Sequence, residues 1–391
     1  MLPLQDVCVL DFSTLLPGPL ASLILAEAGA DVIKVERPGA GEAMRGYPPL
    51  LSGTGGCYAL LNRGKRSIAV DLQAPGQAER ILALAGEVDV VIEQFRPGVM
   101  DRLGLGYAHW RAANPRIIYC AITGYGQDGP LSAQAGHDLN FAAASGMLSL
   151  TTGAGGEPVL PHTLVADIGG GAYPAAINIL LALRYRDQSG EGCFLDVAMA
   201  DNLYTFLFLG LAQGFGVNSW PSPGKELLTG GSPRYRLYAT ADGRHVAVAA
   251  LEDKFWRTFC EVTGVPEALR DDTRDPQATT QAIAERLVGQ PADHWAHVLG
   301  AAETCCTVVA TLEEAVRSLH VQARGLFGRE VSIPGHVLPA LPVPVAASLR
   351  RSAVREAAPG VGEHNPMILG EGKQALDHWA RGPSVSSGRQ Q

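Results

Sequence analysis

Two acid–base side chains stand out by their surroundings. Asp167 lies within an apolar helical stretch and precedes Gly169-Gly170-Gly171, and His137 follows the turn-rich loop 124–130 (GYGQDGP) at the start of another apolar helix. Burial beside glycine backbone penalises an ionised carboxylate, which raises its pKa and suits it to act as base or nucleophile. The same position also suits a helix cap or a hydrogen-bonded core carboxylate, and His137 also reads as a helix-start or core histidine. Glu252, just after a predicted hairpin, reads either as a functional acid or as the first-turn acid of the helix that follows. A basic group completes the set: Arg37, then Arg63, Lys65 and Arg66 in the turn 62–67, and Arg96 after Phe95. Each alone reads as solvated charge, yet four of the five sit at predicted strand ends, where guanidinium forks suit phosphate oxygens.

The loop 13–19 (STLLPGP) lies where a dinucleotide fold places its phosphate loop, and Glu36 lies where such a fold places a ribose-binding acid. The G-x-G-x-x-G spacing is absent, and Pro17 and Pro19 lack the backbone donors a pyrophosphate needs, which weighs against a nicotinamide site.

The elements that must position these residues follow from hydrophobic periodicity. Residues 7–12 (VCVLDF), 19–30 and 32–35 read as a βαβ unit; a second run gives strands at 67–72, 88–92 and 117–122 with a helix at 74–85. Such alternation predicts an α/β protein whose parallel sheet is covered on both faces. Residues 164–184 and 198–211 read as long apolar helices that pack on that sheet or on a partner subunit. Beyond the loop 220–224 the pattern changes: two alternating runs, 235–239 and 245–250, are joined through Asp242-Gly243, a hairpin signal, and precede amphipathic helices at 254–262, 281–288 and 292–299. The expected organisation is a large Rossmann-like domain at 1–224, a smaller α+β domain at 225–325, a return linker and C-terminal part of the large domain at 326–381, and a disordered Ser/Gly/Gln-rich tail at 382–391. The four prolines within 334–344 suit an extended linker.

At 391 residues, a prior of about 150 per domain gives two or three domains. With 47% hydrophobic and 18% charged residues there is ample apolar material to bury, and a net charge of −8 argues against nucleic acid or an anionic membrane as partner. The seven cysteines are scattered and never spaced C-x-x-C, which reads as reduced thiols without a zinc site. With no basic-then-apolar leader at the start, a cytoplasmic protein is expected. The best membrane candidate, 202–215, is short of the ~20 residues a span requires.

The stretches LDFSTLLPGPLASLILAEAGADVIKVERPG, LNRGKRSIAVDL, DVVIEQFRPGVMDRLGLGY, IIYCAITGYGQDGPLSAQAGHDLNFAAASG, LVADIGGG, YRLYATADGRHVAVAALEDKFW and GEHNPMILGE cover most of 5–205, about 228–258 and 362–371. Together they resemble the family III CoA-transferase superfamily (CaiB/BaiF-like), and within it most closely the alpha-methylacyl-CoA racemases. The resemblance implies an interlocked homodimer, with coenzyme A, as part of the substrate, lying across the large domain and the active site meeting the partner's small domain. It implies no metal, flavin or nicotinamide as a prosthetic group. By the matched motifs, Arg37, Arg63 and Arg66 hold the CoA phosphates, Arg96 lies on the same face, and Thr14, Leu15, Ile92 and Gln94 line the slot.

In the racemases a His in the GHD motif and an Asp in LV-x-D are the two bases that flank the substrate α-carbon; here these are His137 and Asp167, and Glu252 matches the acid that orients the histidine from the other subunit. A thioester acidifies its α-proton only partly, so a base on one face and an acid on the other are needed. Donors to the enolate oxygen are expected from the glycine-rich backbone or the Asp167 amide. Transferase members instead use the corresponding aspartate as a nucleophile that forms an acyl anhydride, and a binding module or nicotinamide enzyme is the third class. Two positions depart from the racemase pattern: Thr163 stands where Asn is usual, and Phe141 where Tyr is usual.

Overall fold

Alternating β-branched and helical runs assemble into one central sheet in a computed structural model that describes residues 1–153 and 155–370. Its strands are β1 (Cys8–Asp11), β2 (Asp31–Glu36), β3 (Arg66–Ala69), β4 (Val90–Glu93), β5 (Ile118–Thr123) and β6 (Phe194–Ala198). They lie in the order β3-β2-β1-β4-β5-β6 with every neighbouring pair parallel. The order reverses between β1 and β4, which opens a crevice at the carboxyl ends of those two strands, where such sheets bind ligands. The sheet is covered on both faces, so all of β5 is buried and the core runs through Leu10, Ile33, Ile68, Val91, Trp110 and Tyr119.

Helix α1 (Pro17–Glu27) is buried along its whole length, with Pro17 at its first turn, where the missing N–H would have had no helical partner. Beneath the β1–α1 loop lies a buried ionic knot. Asp11 accepts from Ser13 N at 2.9 Å and pairs with Lys65 at 3.3 Å, and Lys34 Nζ donates to Ser13 O at 2.8 Å. Burial pushes the Asp11 carboxyl up, but Lys34, Lys65 and the Ser13 and Ser22 hydroxyls outweigh it and hold it at about 2. Leu15, above this knot, has φ 63°, a left-handed conformation that a branched side chain adopts only under tertiary constraint.

Helix α2 (Asp138–Ala144) follows β5, and a π-helical turn, Ala166–Ala172, runs directly into α3 (Tyr173–Ser189). The run Ala166–Ser189 is the one helix among the described residues long and apolar enough to cross a membrane, a longer candidate than 202–215. Half of it is buried inside the fold, against α1, β5 and β6. The chain's C-terminal return adds β10 (Glu330–Ile333), which pairs antiparallel with β11 (His336–Pro339) and parallel with β12 (Arg355–Ala357). The proline-rich stretch expected as an extended linker therefore supplies a hairpin turn and a strand. His364 and Asn365 then hydrogen-bond to the backbone of β3 and close that open edge of the sheet.

The described residues divide into two compact units, one of Met1–Ser145, Pro161–Phe206 and 325–370, the other of Gly146–Leu160 and Leu207–Arg324. The longer segment of the second begins at Leu207, ahead of residue 225, and there α4 (Phe208–Val217) turns back on the loop after it: Phe215 meets Trp220 edge-on at 5.5 Å, and a Cβ on Gly214 would lie 2.4 Å from the Trp220 ring. The expected hairpin forms as β7 (Tyr235–Ala239) and β8 (His245–Ala249), with Gly243 at φ 77°, and β9 (Cys306–Val308) joins β8. Helices α5 (Asp253–Thr263), α6 (Pro276–Leu287) and α7 (Ala292–Gly300) bury Trp256, Phe259, Ile283 and Trp295 against this sheet. The tail expected at 382–391 lies outside the described residues.

The π-helical turn tests the packing directly. A Cβ on Gly170 would sit 2.4 Å from Met199 O, a backbone atom that cannot yield cheaply. Gly170→Ala should cost about 2 kcal/mol or more, read as a lowered Tm; an unchanged Tm would contradict this packing.

Candidate active site

His137 and Asp167 are brought to neighbouring helix starts by the residue between them in the fold, Asp138. His137 is the exposed residue at the head of α2, its N–H donating to Asn140 Oδ1 at 3.0 Å. Asp138, the first residue of α2, is buried, and its Oδ1 accepts from Ala166 N at 2.7 Å and from Asp167 N at 2.9 Å. One carboxylate oxygen thus satisfies two amides at the start of the π-helical turn, where helix geometry leaves them without backbone partners. Beyond that point the three glycines permit close approach: Gly169 to the Phe206 ring, Gly170 to Met199 O and Gly171 to Pro17, while Asn202 Nδ2 donates to Gly170 O at 2.8 Å. Single π-turns of this kind recur at functional sites.

The Asp167 carboxyl is half-buried. Burial, and then the negative charge of Asp138, raise its pKa from the ordinary carboxylate range to about 7. A group poised there both takes and returns a proton at neutral pH. The Asp167 amide, expected as one donor to an enolate oxygen, is already given to Asp138, so that role is corrected.

Two clefts open at the carboxyl edge of the sheet. One, of about 630 Å³, is lined by Thr14, Arg37, Phe95 and Arg102 among others. The other, of about 400 Å³, is lined by Gln94, Phe95, Arg96, His137 and Phe141. Phe95 is a wall of both, and its N–H donates to Glu93 Oε2 at 2.7 Å. Burial, with a smaller contribution from Asp101, raises the Glu93 carboxyl to about 8. Gln94 Oε1 accepts from Gly18 N at 3.2 Å, tying the β4 loop to the start of α1. Phe141 fills the space over Gly124 and Gly136, where a Cβ would lie 2.4 and 2.6 Å from its ring, and it meets Tyr125 edge-on at 5.2 Å.

Thr14, Arg37, Gln94, Arg96 and His137 therefore gather at one edge. Arg63 and Arg66 do not. Arg66 opens β3 and pairs with Asp31 at the start of β2, which is the amino edge of the sheet. Arg63 is buried, its guanidinium held by Glu27 at 2.7 Å, Leu60 O at 2.8 Å and Leu341 O at 2.8 Å. Arg63, a buried cation with its donors so engaged, is a structural pin, so the phosphate contact expected of it is corrected; Arg66, at the amino edge, lines neither cleft. Ile92 is wholly enclosed within β4, and Leu15 is half-buried and lines neither cleft. Glu252 belongs to the second unit, where it is exposed at the head of α5, its carbonyl accepting from Phe255 N and Trp256 N at 3.0 Å each. Glu36 is tied to Arg45 Nε at 2.7 Å and the Ser67 hydroxyl at 2.7 Å. Both of its carboxylate oxygens are thus engaged by protein groups. Two site residues are not singled out by sequence reasoning: Asp138, adjacent to His137, and Arg102, six residues after Arg96 in the same loop-and-helix turn.

The family model for CoA-transferase family III matches residues 4–365. The human protein named alpha-methylacyl-CoA racemase is 34% identical over 378 residues, covering 94% of this chain and 93% of that one. A succinate–glutarate CoA-transferase of Agrobacterium fabrum is 31% identical over 385 residues, covering 94% and 95%. Among solved structures, a CaiB/BaiF family protein from Brucella suis aligns with a TM-score of 0.81 at 27% identity, covering 94% of this chain and 98% of that one.

Asp138→Asn keeps an acceptor oxygen for the two amides but removes the charge that disfavours ionised Asp167. The Asp167 pKa should fall, so the ascending limb of any rate that needs its carboxylate should move toward acid by roughly half a pH unit or more. A pH–rate profile with an unmoved limb would rule out this coupling.

Proposed function

Because the chain belongs to CoA-transferase family III, we propose that it is an acyl-CoA racemase or epimerase that inverts C2 of a 2-methyl-branched acyl-CoA. The observation that carries this reading is the Asp138 bridge: it sets a cleft histidine beside a carboxyl raised to about 7, two acid–base groups on adjoining helix starts rather than one activated nucleophile. Transfer through an Asp167 anhydride would leave that cleft histidine without a role.

In the reaction, one of His137 and Asp167 takes the α-proton. The C–H electron pair moves into the carbonyl to form the thioester enolate, and the other group then delivers a proton to the opposite face. The first ends protonated, the second deprotonated, and exchange with water resets both. The nucleotide end of coenzyme A fits the larger cleft, where Arg37, its Nε bound to Gly41 O at 2.8 Å, and Arg102 offer guanidinium groups to phosphate and Thr14 adds a hydroxyl. The thioester end then passes Phe95 into the cleft of His137 and Arg96. A homodimer belongs to the same proposal. The exposed face of α3 carries Tyr173, Ile177, Leu180, Leu181 and Tyr185, an apolar stripe of the kind that marks a protein interface, and a second copy would bring its Glu252 to orient His137.

The second reading, CoA transfer between an acyl-CoA and a free acid through an Asp167 anhydride, is favoured by the likeness to the glutarate transferase. The two separate in D₂O. A racemase places deuterium at the α-position with no acceptor acid present, and His137→Ala should lower that exchange at least ~10²-fold. A transferase needs the acid, gives a hydroxylamine-trappable adduct, and keeps its rate in His137→Ala. Arg102→Ala should raise KM for CoA esters about tenfold with little change in kcat, as expected for binding remote from the reacting carbon. An unchanged KM would remove the larger cleft from the CoA site.

A further inference from the structure

In the second unit one side chain brackets Glu252 from both sides. The Nη1 of Arg234, the residue before β7, donates to Leu251 O at 3.0 Å and to Asp253 Oδ1 at 2.7 Å, the residues immediately before and after Glu252. Its other nitrogens form a fork on Asp272, Nε to Oδ2 at 3.0 Å and Nη2 to Oδ1 at 2.8 Å. Asp272 is almost wholly buried, so the guanidinium is anchored to the body of the unit rather than to the loop it grips. The Trp256 ring, one turn into α5, lies 5.0 Å from the guanidinium carbon, and Trp256 Nε1 donates to Arg270 O at 2.7 Å. A planar fork held on two sides and stacked on a third has little freedom left.

Glu252 itself has an exposed side chain at the head of α5. A carboxylate on an unsupported chain turn would sample many positions, and a group that must orient a histidine loses effectiveness with small misplacement. We propose that Arg234 is a positioning residue for Glu252, fixing the Leu251–Asp253 turn so that its carboxylate is presented in one place. This rests on the reading of Glu252 as the acid that orients His137 in a second copy.

The test is a double-mutant cycle on α-proton exchange in the full-length protein, with kcat and KM measured separately. Glu252→Gln and Arg234→Ala should each lower kcat about tenfold with KM changed less than about twofold. The double variant should be no slower than Glu252→Gln alone, because Arg234 acts only through that carboxylate. Arg234→Lys should recover only part of the rate, since an ammonium cannot form the fork. Asp253→Ala, at an exposed side chain, removes the acceptor and should lower kcat several-fold at unchanged Tm, which covers the case in which Arg234→Ala does not fold. Penalties that multiply in the double variant, or Asp253→Ala at full rate, would overturn the positioning role. A Glu252→Gln variant at full rate would instead refute the Glu252 reading, and the positioning role with it.

Discussion

One carboxylate oxygen holds the site together. Asp138 Oδ1 takes the amide protons of Ala166 and Asp167, so the start of the π-helical turn is fixed against the start of α2. Two buried amides without that acceptor would each cost about 1–3 kcal/mol, more than the helix junction could offset locally. The same oxygen is also an electrostatic element, because its charge helps hold the Asp167 carboxyl near neutrality. One group therefore fixes the junction and adds to the effect of burial on the Asp167 carboxyl, and it brings residues far apart in the chain to adjoining helix starts.

The sheet supplies the platform. The order β3-β2-β1-β4-β5-β6 puts the loops after β1 and β4 on either side of the crevice. The Asp11–Lys34–Lys65 knot holds the first loop from below, and Gln94 ties the second to α1. Buried charges of this kind are costly unless fully paired, so their value here lies less in stability than in holding Leu15 and its neighbours in a conformation the backbone does not favour. Phe95 forms a wall of both clefts.

Much of this architecture is legible in the amino-acid sequence. The βαβ pattern announces the parallel sheet because fully buried strands read as continuous apolar runs, and the Asp-Gly turn marks the hairpin of the second unit. The sixth strand, Phe194–Ala198, gives no such signal: it is a partly exposed edge strand with Asp196 at its centre, so it lacks the apolar signature. Motifs point to the His137 and Asp167 pair, whereas the residue that joins them stays hidden because an acid next to a candidate histidine carries no signal of direction. Arg63 and Arg66 mislead for a different reason. The strand predicted at 67–72 already has both before its first residue, at its amino end, whereas the crevice lies at the carboxyl ends; the register Ile33 to Arg66 shows that placement for Arg66. Arg234 and its grip on Leu251 and Asp253 depend on contacts spanning 17 and 19 residues that no local pattern announces.

The most direct measurement follows one enantiomer of a 2-methyl-branched acyl-CoA in D₂O to low conversion and determines the isotope at C2 in the inverted product and the recovered substrate separately. With His137 and Asp167 acting from opposite faces, the inverted product should carry deuterium from its first appearance, because the proton it gains comes from a different group than the one that took the original. Inverted product that retains the substrate's own protium would show a single base shuttling one proton, and would contradict the two-sided site.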